Sequence, residues 1–316
     1  MAQRASAFDH RSVTDRIPPA GWLVASAVFH YLGPAFAVLL FARVDVLGVA
    51  WLRIVVAAVV FAVWRRPWRV WRAADRGTRW LLASWGAVLA VMNCVFYLAL
   101  ARLPLGTVAA VEFLPVVGLA AMAARTWRNA LAVGCAVAGV YVLTDVRLVA
   151  EPVGFGFAAV NAALFALYIV LGHRVARSER VGGVDGLAVA MLVASVLVLP
   201  VGLGDAVPAL TDPVLLAAGV GVAVSSSVVP YVADQLAMAR LSRGTYALLV
   251  ALLPATATVI GVVVLAQVPS VAELVGVALV VAGVAVHRER VSGPSGPGGR
   301  GGSRRRRIGR GPRVRG

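Results

Sequence analysis

The sequence predicts an all-α membrane protein with ten transmembrane helices, arranged as two inverted five-helix repeats. The 316 residues are 60% hydrophobic and only 14% charged, whereas soluble domains average roughly 25% charged residues. At roughly 20 residues per span, a chain of this length has room for about ten spans. A nine-residue segment that recurs in the second half of the chain indicates the repeat.

Ten apolar segments follow one another along the chain, five in each predicted repeat. The first repeat, residues 20–144, has predicted spans at 20–42, 47–64, 80–100, 107–124 and 130–143. The second repeat, residues 153–286, has predicted spans at 154–171, 186–203, 214–237, 245–266 and 271–286. No clean cleavage site follows the first apolar run, so we interpret it as a retained span and not as a signal peptide.

Two polar segments flank these spans. Residues 1–19 are predicted to form a cytoplasmic lead, and residues 287–316 an Arg/Gly-rich tail that is disordered because it cannot build an apolar core. The tail is expected to lie on anionic lipid headgroups, which attract arginines near the membrane. Such a basic run can also bind nucleic acid, but we do not expect a nucleic-acid partner here.

Arginines predict the orientation, because cytoplasmic loops carry an excess of basic residues. With the N-terminus inside, the inner loops hold the arginines of residues 65–79, 125–128, 174–180 and 240–243. The outer loops hold only Arg43, Arg102 and Arg147. We therefore expect a multi-pass protein of the cytoplasmic membrane with both termini in the cytoplasm.

The repeat is most visible at two predicted hairpins. Residues 99–107 read ALARLPLGT and residues 237–245 read AMARLSRGT, with six of nine positions identical. A Leu-Pro pair follows each hairpin, at Leu114-Pro115 and Leu253-Pro254. Five spans is an odd number, so the second repeat must be inverted relative to the first, the layout of many secondary transporters. The alternative is a chance match in a chain rich in Ala, Leu and Arg.

Three ionisable residues in the predicted spans of the first repeat are functional candidates: His30, Arg53 and Glu112. Glu112 would cost roughly 2.5–3.5 kcal/mol at the centre of a membrane helix, so it is a functional candidate, either as a partner for a substrate ammonium or as a proton carrier. Its alternative role is a structural carboxylate that is paired with a neighbouring helix or lies near the outer interface. Arg53 could bind a substrate carboxylate, reach the outer surface or pair with Glu112. His30 could carry a proton or be a hydrogen-bonded packing residue.

Polar side chains accompany these charges. Asn93 and Tyr97 are four residues apart and share a helix face, and Asn161 and Tyr168, seven apart, share another. The eighth span holds Ser225, Ser226, Ser227, Pro230 and Tyr231. These groups suit a wet cavity for a small polar solute, and equally suit hydrogen bonds between helices, worth around 0.6 kcal/mol each. Asp234 is expected to pair with Arg240.

Other classes of function find less support. Cys94 and Cys135 both lie in apolar segments and give neither a disulfide framework nor metal-ligand spacing. Three of the four histidines lie outside the spans, which disfavours a membrane enzyme with clustered catalytic groups. We expect no catalytic residue, metal or cofactor. A membrane protein without transport activity is a further alternative, and the oligomeric state stays open.

Several short motifs carry a resemblance to a known family. They are Leu52-Arg53, Met92-Asn93, Phe96-Tyr97-Leu98, Pro104-Leu105-Gly106, Glu112-Phe113, Tyr168-Ile169 with Gly172 and Arg174, Pro230-Tyr231 and Ala239-Arg240-Leu241. From about Gly21 to Val286 the chain resembles the ten-helix EamA-type members of the drug/metabolite transporter superfamily, and is most similar to their threonine/homoserine exporters.

This resemblance implies export of small amino acids or related polar metabolites, in exchange for protons, from a cavity between the halves. Leu253 and Ala266-Gln267 stand where those exporters have glutamates. Uptake or efflux of another small metabolite or drug by the same fold is the alternative.

Overall fold

The computed structural model describes residues 19–123, 127–147, 151–176, 178, 181–233 and 253–286, and the fold is described for these residues. Their regular structure is helical. The helices are α1 Pro19–Leu40, α2 Val46–Arg65, α3 Pro67–Ala73, α4 Arg76–Leu100, α5 Leu105–Ala123, α6 Trp127–Arg147, α7 Pro152–Ala176, α8 Gly183–Thr211, α9 Pro213–Ala223, α10 Leu253–Leu265 and α11 Val271–Val286.

The described part of every predicted span is helical, with shifted ends. The largest shift is in α8, which continues past the predicted end at residue 203 to Thr211. One helix was not predicted: α3 lies in the arginine-rich loop after α2. Pro67 occupies its first position, where the fixed φ of proline favours a helix start and the missing N–H costs nothing.

Five of the described helices are long and apolar enough to cross a membrane. They are Val46–Arg65, Arg76–Leu100, Pro152–Val175, Gly183–Thr211 and Pro213–Ala233. The other apolar segments are shorter: Ser26–Leu40, Leu105–Pro115, Ala130–Gly139, Leu253–Leu265 and Val271–Gly283. The ten-span architecture therefore stays a prediction.

One helix changes its winding in the middle of a candidate membrane span. After Ala223, α9 continues as a π-helical turn, Val224–Val228, and then as a helix to residue 233. Such π-turns are rare and occur frequently at functional sites. This turn contains the three consecutive serines and precedes Pro230.

Helix packing follows a two-fold pattern. With α3 set aside, α1, α2, α4, α5 and α6 correspond in order to α7 through α11. Helix α1 packs on α9, and its equivalent α7 packs on α4, the equivalent of α9. In the same way α5 packs on α7, and its equivalent α10 packs on α1, the equivalent of α7. In addition, α2, α5 and α6 pack on their own equivalents α8, α10 and α11. Both halves therefore contribute to the centre of the bundle.

Several sequence predictions fall outside the described residues. They are the polar lead 1–18, the second hairpin 237–245, the Asp234–Arg240 pair and the tail 287–316.

Candidate solute site in the centre of the bundle

A small cavity lies where α1, α2, α4, α5, α7 and α9 meet. Its lining is His30, Arg53, Met92, Asn93, Phe96, Glu112, Asn161, Phe165 and Tyr231. The cavity volume is about 20 Å³, and a water molecule needs at least roughly 10–15 Å³. The space holds about one water, so a larger solute could enter only after the surrounding helices move.

Glu112 is held by side chains from two other helices. Asn161, on α7, donates its Nδ2–H to Glu112 Oε1 at 3.0 Å. Tyr31, on α1, donates its hydroxyl to Glu112 Oε2 at 3.5 Å. Glu112 is only 4% exposed, so this carboxylate faces the interior and not the surrounding lipid. Its partners satisfy part of its hydrogen-bonding capacity, as a buried carboxylate requires.

Asn161 leaves one polar atom unsatisfied. The residue is fully buried, and its Oδ1 has no hydrogen-bond partner among the described residues. A buried amide oxygen without a partner is costly and calls for an explanation. Because Asn161 and Glu112 both line the cavity, the two residues offer acceptor oxygens to a donor such as an ammonium group.

Arg53 is anchored on the π-turn. Its Nε–H donates to Ser227 Oγ at 2.8 Å and its Nη2–H donates to the Ser226 carbonyl at 2.9 Å. Pro230 has no N–H to offer the carbonyl four residues earlier, which is that of Ser226. The proline therefore makes a backbone acceptor available inside the bundle, and Arg53 uses it.

The geometry decides between the interpretations of Arg53. The residue is 4% exposed, so the guanidinium does not reach the surface. Among the described residues, the ion pairs are Arg65 with Asp185 and Arg102 with Glu151, so the pairing of Arg53 with Glu112 offered by the sequence is not present. Arg53 and Glu112 thus line one cavity without forming an ion pair with each other.

Aromatic rings surround these charges. The Arg53 guanidinium carbon lies 5.4 Å from the Tyr97 ring centre and 5.9 Å from the Phe96 ring centre, distances at which cation–π attraction is worth roughly 0.5–2 kcal/mol. The Tyr231 ring contacts His30 at 6.5 Å and Tyr168 at 6.0 Å between ring centres. These contacts place aromatic rings between the polar groups of the cavity wall.

The structure brings the eight candidate residues close together. Six of them line the cavity: His30, Arg53, Asn93, Glu112, Asn161 and Tyr231. Tyr97 lies against the Arg53 guanidinium and Tyr168 against Tyr231. Asn93 donates to the Leu89 carbonyl of its own helix at 2.8 Å, so this amide does not make the bond between helices that the sequence offered as an alternative. Whether the cluster binds a solute stays a prediction.

Sequence reasoning did not propose four residues of the cluster: Met92 and Phe96, which entered only through the family motifs, and Tyr31 and Phe165. Tyr31 follows His30 in the first span, and its hydroxyl could have been noted as a polar group deep in an apolar segment. Phe165 lines the cavity and contacts Phe113 and Tyr168 through its ring. A phenylalanine in a membrane helix carries no sequence pattern that separates a cavity wall from lipid contact.

Comparison with known proteins identifies relatives over most of the chain. A model of the EamA-like transporter family matches residues 152–287. The threonine/homoserine exporter RhtA of Salmonella typhimurium is 31% identical over 238 residues, which cover 74% of this chain and 79% of the exporter. RhtA of Escherichia coli K12 is 29% identical over 254 residues, or 79% of this chain and 84% of that protein.

A known crystal structure shares the fold. It superimposes with a TM-score of 0.56 and 21% sequence identity, over 84% of this chain and 95% of the other. At this identity the likeness concerns the fold alone.

Proposed function

The chain belongs to the EamA-like transporter family, and on this premise we propose that it exports small amino acids, threonine and homoserine among the candidates, or related polar metabolites across the cell membrane. The family and the relatives indicate a membrane transporter and not an enzyme. Its relatives are named as exporters of threonine and homoserine. The observation that carries the proposal is the pairing of opposite charges in one buried cavity, because an α-amino acid has both an ammonium and a carboxylate.

The acidic side of the cavity receives the ammonium group. Glu112 Oε1 and Oε2 and the unsatisfied Asn161 Oδ1 are acceptors only, which suits a group that only donates. Hydrogen bonds between an ionised donor and an ionised acceptor are roughly twice as strong as neutral ones. The free-energy cost of desolvating the solute ammonium is therefore offset by contacts that a neutral solute could not make.

Arg53 receives the carboxylate. A guanidinium has five N–H donors, and Ser226 and Ser227 accept from two of them. The rest remain for a solute carboxylate, which can also displace the serine oxygens because a charged acceptor binds a guanidinium more strongly than a neutral one. Phe96 and Tyr97 hold the guanidinium plane in position.

We further propose that export proceeds by alternating access between two inverted repeats. The two-fold packing pattern supports this arrangement, as does the location of the cavity between the halves. Ten spans then cross the membrane with both termini in the cytoplasm, as the arginine distribution predicts. The small central cavity corresponds to a closed state between inward-open and outward-open forms.

Glu112 is also the site we propose for proton coupling. The ionisable groups around it are His30, Tyr31 and Arg53, together with Tyr97 and Tyr231 against the guanidinium. Among these Glu112 is the carboxyl group, so a proton and a solute ammonium compete for the same oxygens. Such competition produces exchange, in which a proton entering the cell replaces each exported solute.

The test is a transport assay with purified protein in lipid vesicles. Efflux of each common L-amino acid and of homoserine is measured against empty vesicles. For each solute that moves, the analogues without the amino group and without the carboxylate are then tested. We expect efflux of at least one small amino acid and loss of transport for both analogues. Efflux of none of the amino acids would refute the proposed substrate class.

A further inference from the structure

Residues 64–80 join two candidate membrane spans, and we call them the Trp/Arg segment. Helix α2 ends at Arg65 and α4 begins at Arg76, and both helices are long and apolar enough to cross a membrane. The segment between them therefore lies where two spans meet the surface of the membrane. It holds six arginines, one aspartate and four of the eight tryptophans of the chain. Tryptophan is enriched at membrane–water interfaces, and arginine is attracted to anionic headgroups.

The two-fold pattern of the bundle does not account for this segment. The equivalents of α2 and α4 are α8 and α9, which end at Thr211 and begin at Pro213. Asp212 alone separates them, whereas residues 66–75 separate α2 from α4 and include the helix α3. The first half therefore carries an added basic helix that the second half does without, and its exposed groups are free for another role.

Helix α3 has one side on the protein and one side exposed. Val70 and Trp71 are half-buried against the core, and the helix packs on α8. Trp68, Arg69 and Arg72 are exposed. Residues three or four apart are neighbours on a helix surface, so Arg72 lies beside both Arg69 and Trp68. The exposed side of α3 thus presents guanidinium groups next to an indole ring.

Arg66 joins α2 to α3 in an unfavourable backbone conformation. Its φ of 51° and ψ of 59° lie in the left-handed region, which glycine adopts readily and other residues adopt only at a cost. The left-handed residue ends α2, and Pro67 begins α3. An arginine at a position that suits glycine better indicates a role for its side chain.

Two of the six arginines hold the segment in place. Arg65 donates to Asp185 Oδ1 on α8 at 2.7 Å. Arg79 donates to the carbonyls of Trp71 and Arg72 at 2.9 and 3.0 Å, and so caps the end of α3. The side chains of the other four are exposed and form no hydrogen bond or ion pair with the described residues: Arg66, Arg69, Arg72 and Arg76.

Exposed indole rings identify the kind of partner. Trp64 is 53% exposed, Trp68 41% and Trp80 65%. Trp64 lies in the last turn of α2 and Trp80 in the first turns of α4, the depth at which the amphipathic indole ring is most favourable in a membrane. Nucleic acid or an acidic protein would supply negative charge, but neither supplies the apolar layer that these rings need beside that charge. Anionic lipid supplies both.

We propose that α3 and its flanks form a binding site for the headgroup of an anionic phospholipid, with Arg66, Arg69 and Arg72 on the phosphate and Trp68 beside them at the membrane interface. A guanidinium binds phosphate oxygens bidentately, so several of them around one headgroup favour it over a zwitterionic lipid. The site goes beyond the proposed transport function and does not depend on which solute is transported.

Tryptophan quenching by brominated lipid tests the site. The full-length protein is placed in vesicles of equal parts phosphatidylcholine and phosphatidylglycerol, with one lipid or the other brominated near the headgroup. Fluorescence that is quenched in a protein but not in its Trp68→Phe counterpart comes from Trp68. The test variant combines Arg69→Gln with Arg72→Gln. The matched control combines Arg43→Gln with Arg102→Gln, which removes the same charge from two exposed arginines elsewhere.

We expect brominated phosphatidylglycerol to quench Trp68 at least twofold more than brominated phosphatidylcholine in the wild type and the control. The test variant should bring the two values together. Arg66→Gly should also lower the preference, yet leave the melting midpoint in lipid-free detergent unchanged or higher, because glycine suits the left-handed conformation. Equal quenching by both lipids in the wild type would overturn the site, as would a preference that survives in Arg66→Gly and in the test variant.

Thermal melting separates a lipid site from a site for a free anion. A ligand that binds the folded protein raises its stability. Phosphatidylglycerol added in detergent should raise the midpoint of the wild type and the control but not that of the test variant, and inorganic phosphate should raise none of them. An equal rise with inorganic phosphate would contradict a lipid site. Neither measurement contains a transported solute, so a failure of the proposed transport function and a failure of this site are distinguishable.

Discussion

Asn161 and Glu112 lie 49 residues apart in sequence and are joined by a hydrogen bond of 3.0 Å. Asn161 belongs to the second predicted repeat and Glu112 to the first. The bonds of Arg53 to Ser226 and Ser227 also connect the two repeats. These polar contacts connect the halves around the central cavity, together with the bond from the Ser26 hydroxyl to the Pro230 carbonyl at 3.4 Å, and any rocking of one half against the other must break or stretch them.

Loss of the hydrogen bond between Asn161 and Glu112 should destabilise the protein. Asn161→Leu removes the strongest partner of a buried carboxylate, so we expect the free energy of unfolding to fall by about 1–3 kcal/mol. Asn93→Leu is the matched control, because Asn93 bonds only to the carbonyl of Leu89 in its own helix. Thermal melting in detergent should show a clearly lower midpoint for Asn161→Leu. Equal midpoints for the two variants would show that the bond to Glu112 contributes little.

Loss of a hydrogen bond between Arg53 and the serines of the π-turn should change solute binding more than protein stability. Ser227→Ala removes a neutral acceptor from the Arg53 Nε–H, so the guanidinium gains more from a solute carboxylate. We expect the KM for the exported amino acid to fall about threefold to tenfold. Arg53→Lys should raise it instead, because lysine has no fork of donors for bidentate binding. A Ser227→Ala variant with a raised KM would contradict competition between the serine and the solute.

Gly33 allows α1 to pack directly on the π-turn. A Cβ atom there would lie 2.6 Å from the Ser226 backbone nitrogen. We expect Gly33→Ala to lower the free energy of unfolding by about 1–3 kcal/mol, the usual cost of overpacking. Gly156→Ala is the control, since a Cβ atom at Gly156 would contact nothing within 4 Å. Melting curves of the two variants measure the difference, and a stable Gly33→Ala would show that the π-turn can shift away from α1.

Ala266 offers a stabilising substitution. Its φ of 51° places an L-residue in the left-handed region, which costs roughly 1–2 kcal/mol. Ala266→Gly relieves this strain at the end of α10, where glycine is common, and the larger entropy of the unfolded glycine chain offsets part of the gain. The melting midpoint should rise slightly. A lower midpoint would indicate that the alanine methyl group makes a compensating contact.

Much of the central cluster could be predicted because polar groups are rare in membrane spans and must face protein or a cavity. This argument selects Arg53 and Glu112 without any structure. Helical periodicity also predicts that Asn93 and Tyr97 lie on one face of their helix. The start of α3 was also readable in principle, since Pro67 follows Arg65 and Arg66 at the end of an apolar segment.

The partners of these groups could not be predicted in the same way. The sequence offered an Arg53–Glu112 ion pair as one possibility, because opposite charges in apolar spans attract. In the structure two serines of the π-turn bind the arginine, and an asparagine and a tyrosine bind the glutamate. These pairings depend on the rotation and spacing of helices, which contacts such as Gly33 on Ser226 determine, and no local pattern records those contacts.

The most direct test of the central proposal is solute efflux from vesicles that contain either the wild-type protein or Glu112→Gln, with and without an imposed inward proton gradient. Glu151→Gln is the control, because Glu151 is partly exposed and makes only a loose ion pair with Arg102 at 3.8 Å. We expect the gradient to accelerate efflux by the wild type and the control. Glu112→Gln should transport at least tenfold more slowly, a loss of about 1.4 kcal/mol, and should not respond to the gradient. Wild-type efflux and a wild-type response to the gradient in Glu112→Gln would contradict the role of this carboxylate as the shared site for solute and proton.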